Sequence, residues 1–225
     1  MPADVRVSGS YKDVSKISVK VGGSWKDVSK GSVKVSGAWK EFYSPAAAGA
    51  FDLLETVTVG SGGQATISFS NLNSTYGSTY QHLQLRVMLR STRSDTDSIY
   101  YLQFNGDSTS GNYRAHFLRG TGSAVSSETV TSSYPNGIII FGGLPAATNT
   151  SNLFGGGIID IFDPFETTKN TTTRALVGQS GSFSRVALES GVWLNTAALT
   201  SITLDDVFGN FVQYSRVSLY GLRSS

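Results

Sequence analysis

Side chains able to do chemistry are few and scattered along this 225-residue chain. There is no Cys, and the two His are His82 and His116, so thiolate metal sites, Cys nucleophiles and His-rich metal centres fall away together. Both His lie in strand-like segments near an arginine, His82 by Arg86 and His116 by Arg114, which suits structural roles. Gly178-Gln179-Ser180-Gly181-Ser182 approaches a hydrolase nucleophile elbow, but Ser stands where the last Gly belongs. Asp95/Asp97 and Asp205/Asp206 are carboxylate pairs. At such short spacing they read as acids of loops and strand ends, whereas glycosidase chemistry sets two carboxylates across a cleft. Gly155-Gly156-Gly157 precedes an apolar strand and lacks the Lys-Ser/Thr and helix of a phosphate loop. The expectation is a non-enzyme with no catalytic residue, no metal and no cofactor.

Composition points the same way. Charged residues make up 15%, against the roughly 25% of ordinary soluble domains, and polarity is carried by Ser, Thr, Asn and 25 Gly. Such a chain builds strands and turns. Met1–Ser10 lacks the apolar core of a signal peptide. The longest apolar stretches, around 137–147 and 155–162, fall short of the roughly 18 residues that span a bilayer, so no membrane insertion is expected.

The net charge of +2 hides an asymmetry: residues 1–44 hold 8 basic against 4 acidic residues, and residues 45–225 hold 10 against 12. The basic part is an internal repeat. Val5–Val14, Val19–Val28 and Val33–Phe42 align at a spacing of 14 residues, with Gly9, Gly23 and Gly37 in register and Tyr11, Trp25 and Trp39 in register. Each unit reads as strand, Gly-centred turn, strand. Trp25 and Val28, three residues apart, would face opposite sides of a pleat, so both faces of this short module carry apolar surface. Other copies of the chain are the simplest cover, and an oligomer is expected. The lysines (Lys12, Lys16, Lys20, Lys26, Lys30, Lys34, Lys40) are interrupted by Asp13, Asp27 and Glu41, which argues against nucleic acid as a partner.

Residues 45–54, rich in small side chains, read as a linker with one helical turn. Beyond it period-2 alternation predicts about ten strands over 55–225 and no helix, for example Leu83, Leu85, Val87 and Leu89 against Gln84, Arg86 and Met88. Asn105-Gly106 closes an aromatic strand with a good turn dipeptide. The expected fold is all-β: short N-terminal β-hairpin repeats (1–44) followed by a jelly-roll-like antiparallel β-sandwich head (55–225), trimeric.

The repeated VKVxGxWK units are similar to those of many bacteriophage tail and virion structural proteins. The body resembles a C-terminal domain of fibre-like proteins of tailed phages, through His82–Ser91 (HLQLRVMLRS), Leu102–Ser127, Gly157–Asp163 (GIIDIFD), Val192–Leu204 and Ser215–Leu222 (SRVSLYGL). The resemblance implies a homotrimeric virion appendage, assembled in the host cytoplasm. A tail or baseplate fibre contributing to host attachment is the first expectation; a capsid decoration protein and, further off, a host-polysaccharide depolymerase are the alternatives. Residues 1–44 would bind other virion proteins of tail, baseplate or capsid. Loops of the head would touch a host-surface glycan or protein, the candidates being Tyr76 and Tyr80 in 73–81, Arg93 and Asp95 in 92–98, and Tyr134 in 132–137. Trp25 and Trp39 could stack on sugars, but their register with Tyr11 favours packing.

Overall fold

Glycine in second place of a two-residue turn folds the second and third N-terminal repeats into hairpins. The computed structural model describes residues 4–7, 10–13, 17–28, 30–43, 51–109, 111–131 and 136–223. Strand β1 (Asp4–Val7) pairs with β2 (Ser10–Asp13), β3 (Ser18–Val21) with β4 (Ser24–Asp27), and β5 (Gly31–Val35) with β6 (Ala38–Tyr43), each pair antiparallel. Gly22 and Gly23 have φ of 59° and 86°, and Ser36 and Gly37 of 51° and 85°. Two successive positive φ angles are what a type I′ hairpin turn requires. Directly opposed residues share a face. Val19 and Val21 therefore line one face of β3–β4, and Lys20 opposite Trp25 the other; Val33 and Val35 stand similarly against Lys34 and Trp39 in β5–β6. Val28, expected on the second face, lies beyond β4, where its amide bonds the Ile17 carbonyl at 2.8 Å. That second apolar face is instead built by Val19 and Val21 of β3 and by Val33 and Val35 of β5. Trp25 and Trp39 are 71% and 72% exposed.

Met1–Gly49 and Ala50–Ser225 are separate compact units. The second unit holds β7 (Phe51–Thr58), β8 (Thr66–Phe69), α1 (Leu72–Tyr76), β9 (His82–Leu89), β10 (Tyr100–Phe104), β11 (Tyr113–Gly120), β12 (Val125–Val130), β13 (Ile138–Ile140), β14 (Gly155–Phe162), β15 (Thr171–Gln179), β16 (Arg185–Trp193), β17 (Ile202–Asp206) and β18 (Arg216–Leu222). They form two antiparallel sheets, one ordered β12-β11-β16-β15-β14-β9-β18-β7 and the other β13-β10-β17-β8. All-β and sandwich-like is thus the architecture.

Within this order lies a nested set of eight strands. β7 pairs with β18, β8 with β17, β9 with β14 and β10 with β13, so outermost strands in the sequence pair first and innermost last. The remaining four, β11, β12, β15 and β16, extend the larger sheet beyond β14. Between the sheets the inward positions interlock: Leu83, Leu85, Leu89, Tyr100, Leu102, Phe104, Phe117, Ile159, Ile161, Trp193, Ile202, Leu204 and Leu219 are all buried. Phe104 and Trp193 meet edge to face at 5.8 Å between ring centroids. Asn105 and Gly106 make the expected turn, with φ of 51° and 66°, but carry the chain from one sheet to the other rather than closing a hairpin.

Two expectations are corrected. Residues 51–54, read as the end of a linker, are the first half of β7. A β-bulge opposite Leu219 and Tyr220 sets Leu54 out of register, so inward positions shift from Asp52 and Leu54 to Val57 and the alternation is lost to view. The remainder, 45–50, lies outside the described residues. A helix was not expected; α1 is a single turn pinned by the buried Leu72, whose amide bonds the Thr200 carbonyl at 3.0 Å.

Strand directions sort the loops onto two ends. Phe51, the entry to the sandwich, pairs with Leu222 at the end that also carries the loops 70–81 and 163–170. The opposite end carries 90–99, 141–154, 180–184 and 207–215.

Candidate functional site

The five loop residues singled out from sequence do not form one site. Tyr76 and Tyr80 lie at the chain-entry end, Arg93 and Asp95 at the opposite end, and Tyr134 lies outside the described residues.

Tyr80 is held by its neighbours. Its ring lies against Gly221, where a β-carbon would clash with it, and the Arg223 guanidinium sits 4.9 Å from the ring centroid. Its hydroxyl donates to Asp52 Oδ2 at 2.9 Å, and Tyr76 approaches edge-on at 6.2 Å. Burial, then the Asp52 carboxylate, pushes the Tyr80 hydroxyl above its usual pKa. The same hydrogen bond, with Arg223, holds Asp52 below its own. Beside Tyr80 opens a polar cleft of about 420 Å³ lined by 77–81, Asp163, Phe165, Glu166 and Lys169. Asp163 bonds Lys169 there and is held below the carboxylate range chiefly by that contact.

The opposite end is knit more tightly. Arg90 donates to four carbonyls of one loop, Thr150 and Leu153 at 2.8 Å and Ala147 and Asn149 at 3.3 Å. The buried Asn149 donates to the Thr96 carbonyl at 2.9 Å and the Phe183 carbonyl at 3.1 Å, tying three loops together. Asp206, also buried, accepts Ser91 Oγ at 2.5 Å and Ser98 Oγ at 2.8 Å. Asp205 is raised by burial and then by Asp206. On this frame Arg93 pairs with Asp95 at 3.0 Å and stacks 4.4 Å over Phe208, an aromatic that sequence reasoning passed over and that stands half exposed. Asp97 pairs with Arg185 at 2.7 Å. Asp95, Asp97 and Asp206 are therefore engaged in holding loops. Ser180, of the elbow-like segment, faces Ser184 at 3.5 Å. His82 Nδ1 accepts the Asp163 amide at 3.0 Å.

Two buried polar groups belong to the interior. Glu189 points inward, its Oε1 accepting the Phe141 amide at 2.8 Å. Among the described residues its Oε2 and the Tyr100 hydroxyl have no hydrogen-bond partner. Burial lifts the Glu189 carboxyl to about 8, against the opposing pull of the Phe141 amide, Arg185 and Arg119. Asp107 is the reverse case: burial pushes it up, but Trp193 Nε1 at 2.7 Å, Asn112 Nδ2 at 2.8 Å and the Thr109 amide outweigh that and hold it at about 2.

The largest feature missed from sequence is a face. On the outer side of the larger sheet, Leu118, Leu188, Leu176 and Ile158 stand opposite one another on four successive strands, β11, β16, β15 and β14. They are between 42% and 56% exposed. Their signal was consecutive apolar pairs, Phe117-Leu118, Ile158-Ile159, Ala175-Leu176-Val177 and Ala187-Leu188, which leave no polar residue for the outer side. Further along the same sheet the row turns polar, through Arg86, Ser218 and Thr56.

Among the described residues no group of three or more His, Cys, Asp or Glu is placed to hold a metal ion, and no helix is long and apolar enough to cross a membrane. No protein-family model matches the chain, and a search of curated proteins finds no match.

Proposed function

We propose that this chain is a non-enzymatic structural protein of a tailed-phage virion, a homotrimeric tail or baseplate fibre that contributes to host attachment. In this reading the N-terminal hairpins anchor or extend the fibre by binding other virion proteins. The second unit is its head, a jelly roll elaborated by four strands. The nested pairing of β7 to β18 supports the jelly roll, since that fold pairs first strand with last and works inward.

One observation carries the assembly. Apolar side chains stand open in both units, Trp25 and Trp39 with their valines on the hairpins and the four-strand row on the sheet. A soluble chain that leaves this much apolar surface in contiguous patches covers it with other molecules. Host contact is assigned to the end opposite the chain entry, where Arg93, Asp95 and Phe208 stand on the loops braced by Arg90 and Asn149. A rigid scaffold under exposed aromatic and charged side chains suits recognition of glycan or protein.

Native mass measurement tests the assembly, and the expected species is three chains. Antibody labelling of intact particles tests the position: label at the tail supports the fibre, whereas label spread over the capsid replaces it with a decoration protein. A stable monomer overturns the proposal.

A further inference from the structure

We infer that the outer face of the larger sheet, centred on Leu118, Leu188, Leu176 and Ile158, is the surface through which copies of this chain bind one another. The inference rests on the trimeric reading above and adds the place of contact.

The argument begins with area. A second row lies beside the first, Val125, Val186 and Met88, all exposed. Together the seven side chains open roughly 600 Å² of apolar surface, at the top of the 300–600 Å² that monomers usually show. A stable interface takes about 800 Å² from each partner, roughly two-thirds of it apolar between like subunits. That is about 500 Å² of apolar area, which this patch supplies.

Shape adds to area. In the second row Val125, Val186 and Met88 are separated by Gly120 and by the neighbouring Gly178 and Gly156. A β-carbon at Gly156 would meet only the Val87 carbonyl, at 3.9 Å, and one at Gly120 only Val186 Cγ1, at 3.9 Å. A ridge of branched side chains thus runs beside a row of exposed apolar residues with open gaps at Gly120 and Gly156. On the other side of the ridge the sheet becomes polar, with His116, Ser190, Arg174 and Asp160 in register. The apolar band is therefore narrow along the strands, two rows about 7 Å apart at the usual rise per residue. A narrow ridge suits several copies converging on a symmetry axis better than two faces laid flat, which would also bury the polar rows.

Topology supplies an independent reason. Leu118, Leu176 and Leu188 lie on β11, β15 and β16, strands outside the nested eight. The nested strands β9, β18 and β7 present Arg86, Ser218 and Thr56 in the same row. Apolar surface is thus concentrated on the strands that the nested pairing does without.

The chain contains no Cys, so Leu176→Cys creates its single thiol. In the full chain we expect this thiol to resist maleimide at least ten-fold more than Ser218→Cys, and mild oxidant or a short bis-maleimide to link copies covalently. Leu176→Lys with Leu188→Lys is expected to reduce the native mass to one chain while keeping the far-ultraviolet circular dichroism of the wild type; Ser218→Lys is expected to keep the wild-type mass. If the double-lysine variant misfolds, the thiol measurements decide alone. A wild-type oligomer in which the Leu176→Cys thiol labels as fast as the Ser218→Cys thiol overturns this interface and leaves the trimeric reading standing. A wild-type monomer overturns both. Protection without cross-linking, in an oligomer, assigns the face to another segment of the chain and also overturns the inference.

Discussion

The two units solve the problem of apolar surface in opposite ways. The sandwich buries its aromatic and branched residues between two sheets of one chain, so that Phe104, Phe117 and Trp193 are almost wholly hidden. Each hairpin has a single layer of two strands, and in β3–β4 and β5–β6 the valines and the tryptophan stand exposed on opposite faces. An isolated two-stranded hairpin is marginal in water at best. Residue type alone therefore does not separate the units, since both are rich in Val and aromatics; the number of layers does. The core of the sandwich is complete within one chain, whereas the apolar faces of the hairpins are completed by whatever covers them.

Mutating each unit at its most apolar point should break this contrast if it is wrong. Phe117→Ala, at a ring packed 4.5 Å from Phe141, is expected to cost the sandwich about 3–5 kcal/mol in chemical denaturation. Trp25→Ala with Trp39→Ala removes rings of greater area, yet the unfolding midpoint of the sandwich should stay within experimental error. Its effect should appear in native mass or in incorporation into particles. A sandwich destabilised by the tryptophan substitutions would mean that the hairpins stabilise the sandwich, and the contrast would fail.

A second contrast in the sandwich sets the half-buried, fully hydrogen-bonded Asp107 against the buried Glu189, whose Oε2 has no hydrogen-bond partner among the described residues. Glu189 binds its proton more tightly folded, near 8, than the 4.5 of an ordinary glutamate. The folded state therefore holds the extra proton between these values, and stability falls as pH rises through them, at up to about 1.4 kcal/mol per pH unit. Glu189→Gln keeps the acceptor for the Phe141 amide and removes the charge. We expect the variant to gain stability relative to wild type above pH 8 and to flatten the slope between pH 5 and 8, as read by urea midpoints. Asp107 contributes with the opposite sign, losing stability as pH falls toward about 2. The two slopes occupy different windows, so one pH series reads both.

What the sequence made legible follows from the same physics. β9 was readable because Leu83, Leu85, Val87 and Leu89 all point inward from a regular strand. β12 was not, since five of its six residues are exposed at a sheet edge and only Val130 is buried. β7 was hidden by its bulge at Leu54. The outer apolar row was visible as doubled apolar residues, but doubling also marks strands buried on both sides, and pairing alone separates the two cases. Loop residues were the least legible. Tyr80 and Arg93 looked alike as loop-tip candidates, yet strand directions put them at opposite ends, and Tyr80 spends its ring and hydroxyl on Gly221 and Asp52.

The finest test concerns two hairpins that differ at one turn residue. Gly22 and Ser36 occupy the same place in successive repeats, with φ of 59° and 51°. Glycine adopts that backbone freely, whereas serine meets its own β-carbon there, at roughly 1 kcal/mol. Ser36→Gly should relieve that strain, offset in part by greater freedom of the unfolded chain, for a net gain of a few tenths of a kcal/mol. So small a change in a hairpin without its own core should not move the unfolding of the sandwich. It should instead raise the temperature at which the assembled species dissociates, by about one or two degrees. Gly22→Ser in the preceding hairpin should lower it by a similar amount. If neither substitution moves dissociation while both leave the sandwich unchanged, hairpin order does not limit assembly, and the hairpins are held by their docking partner alone.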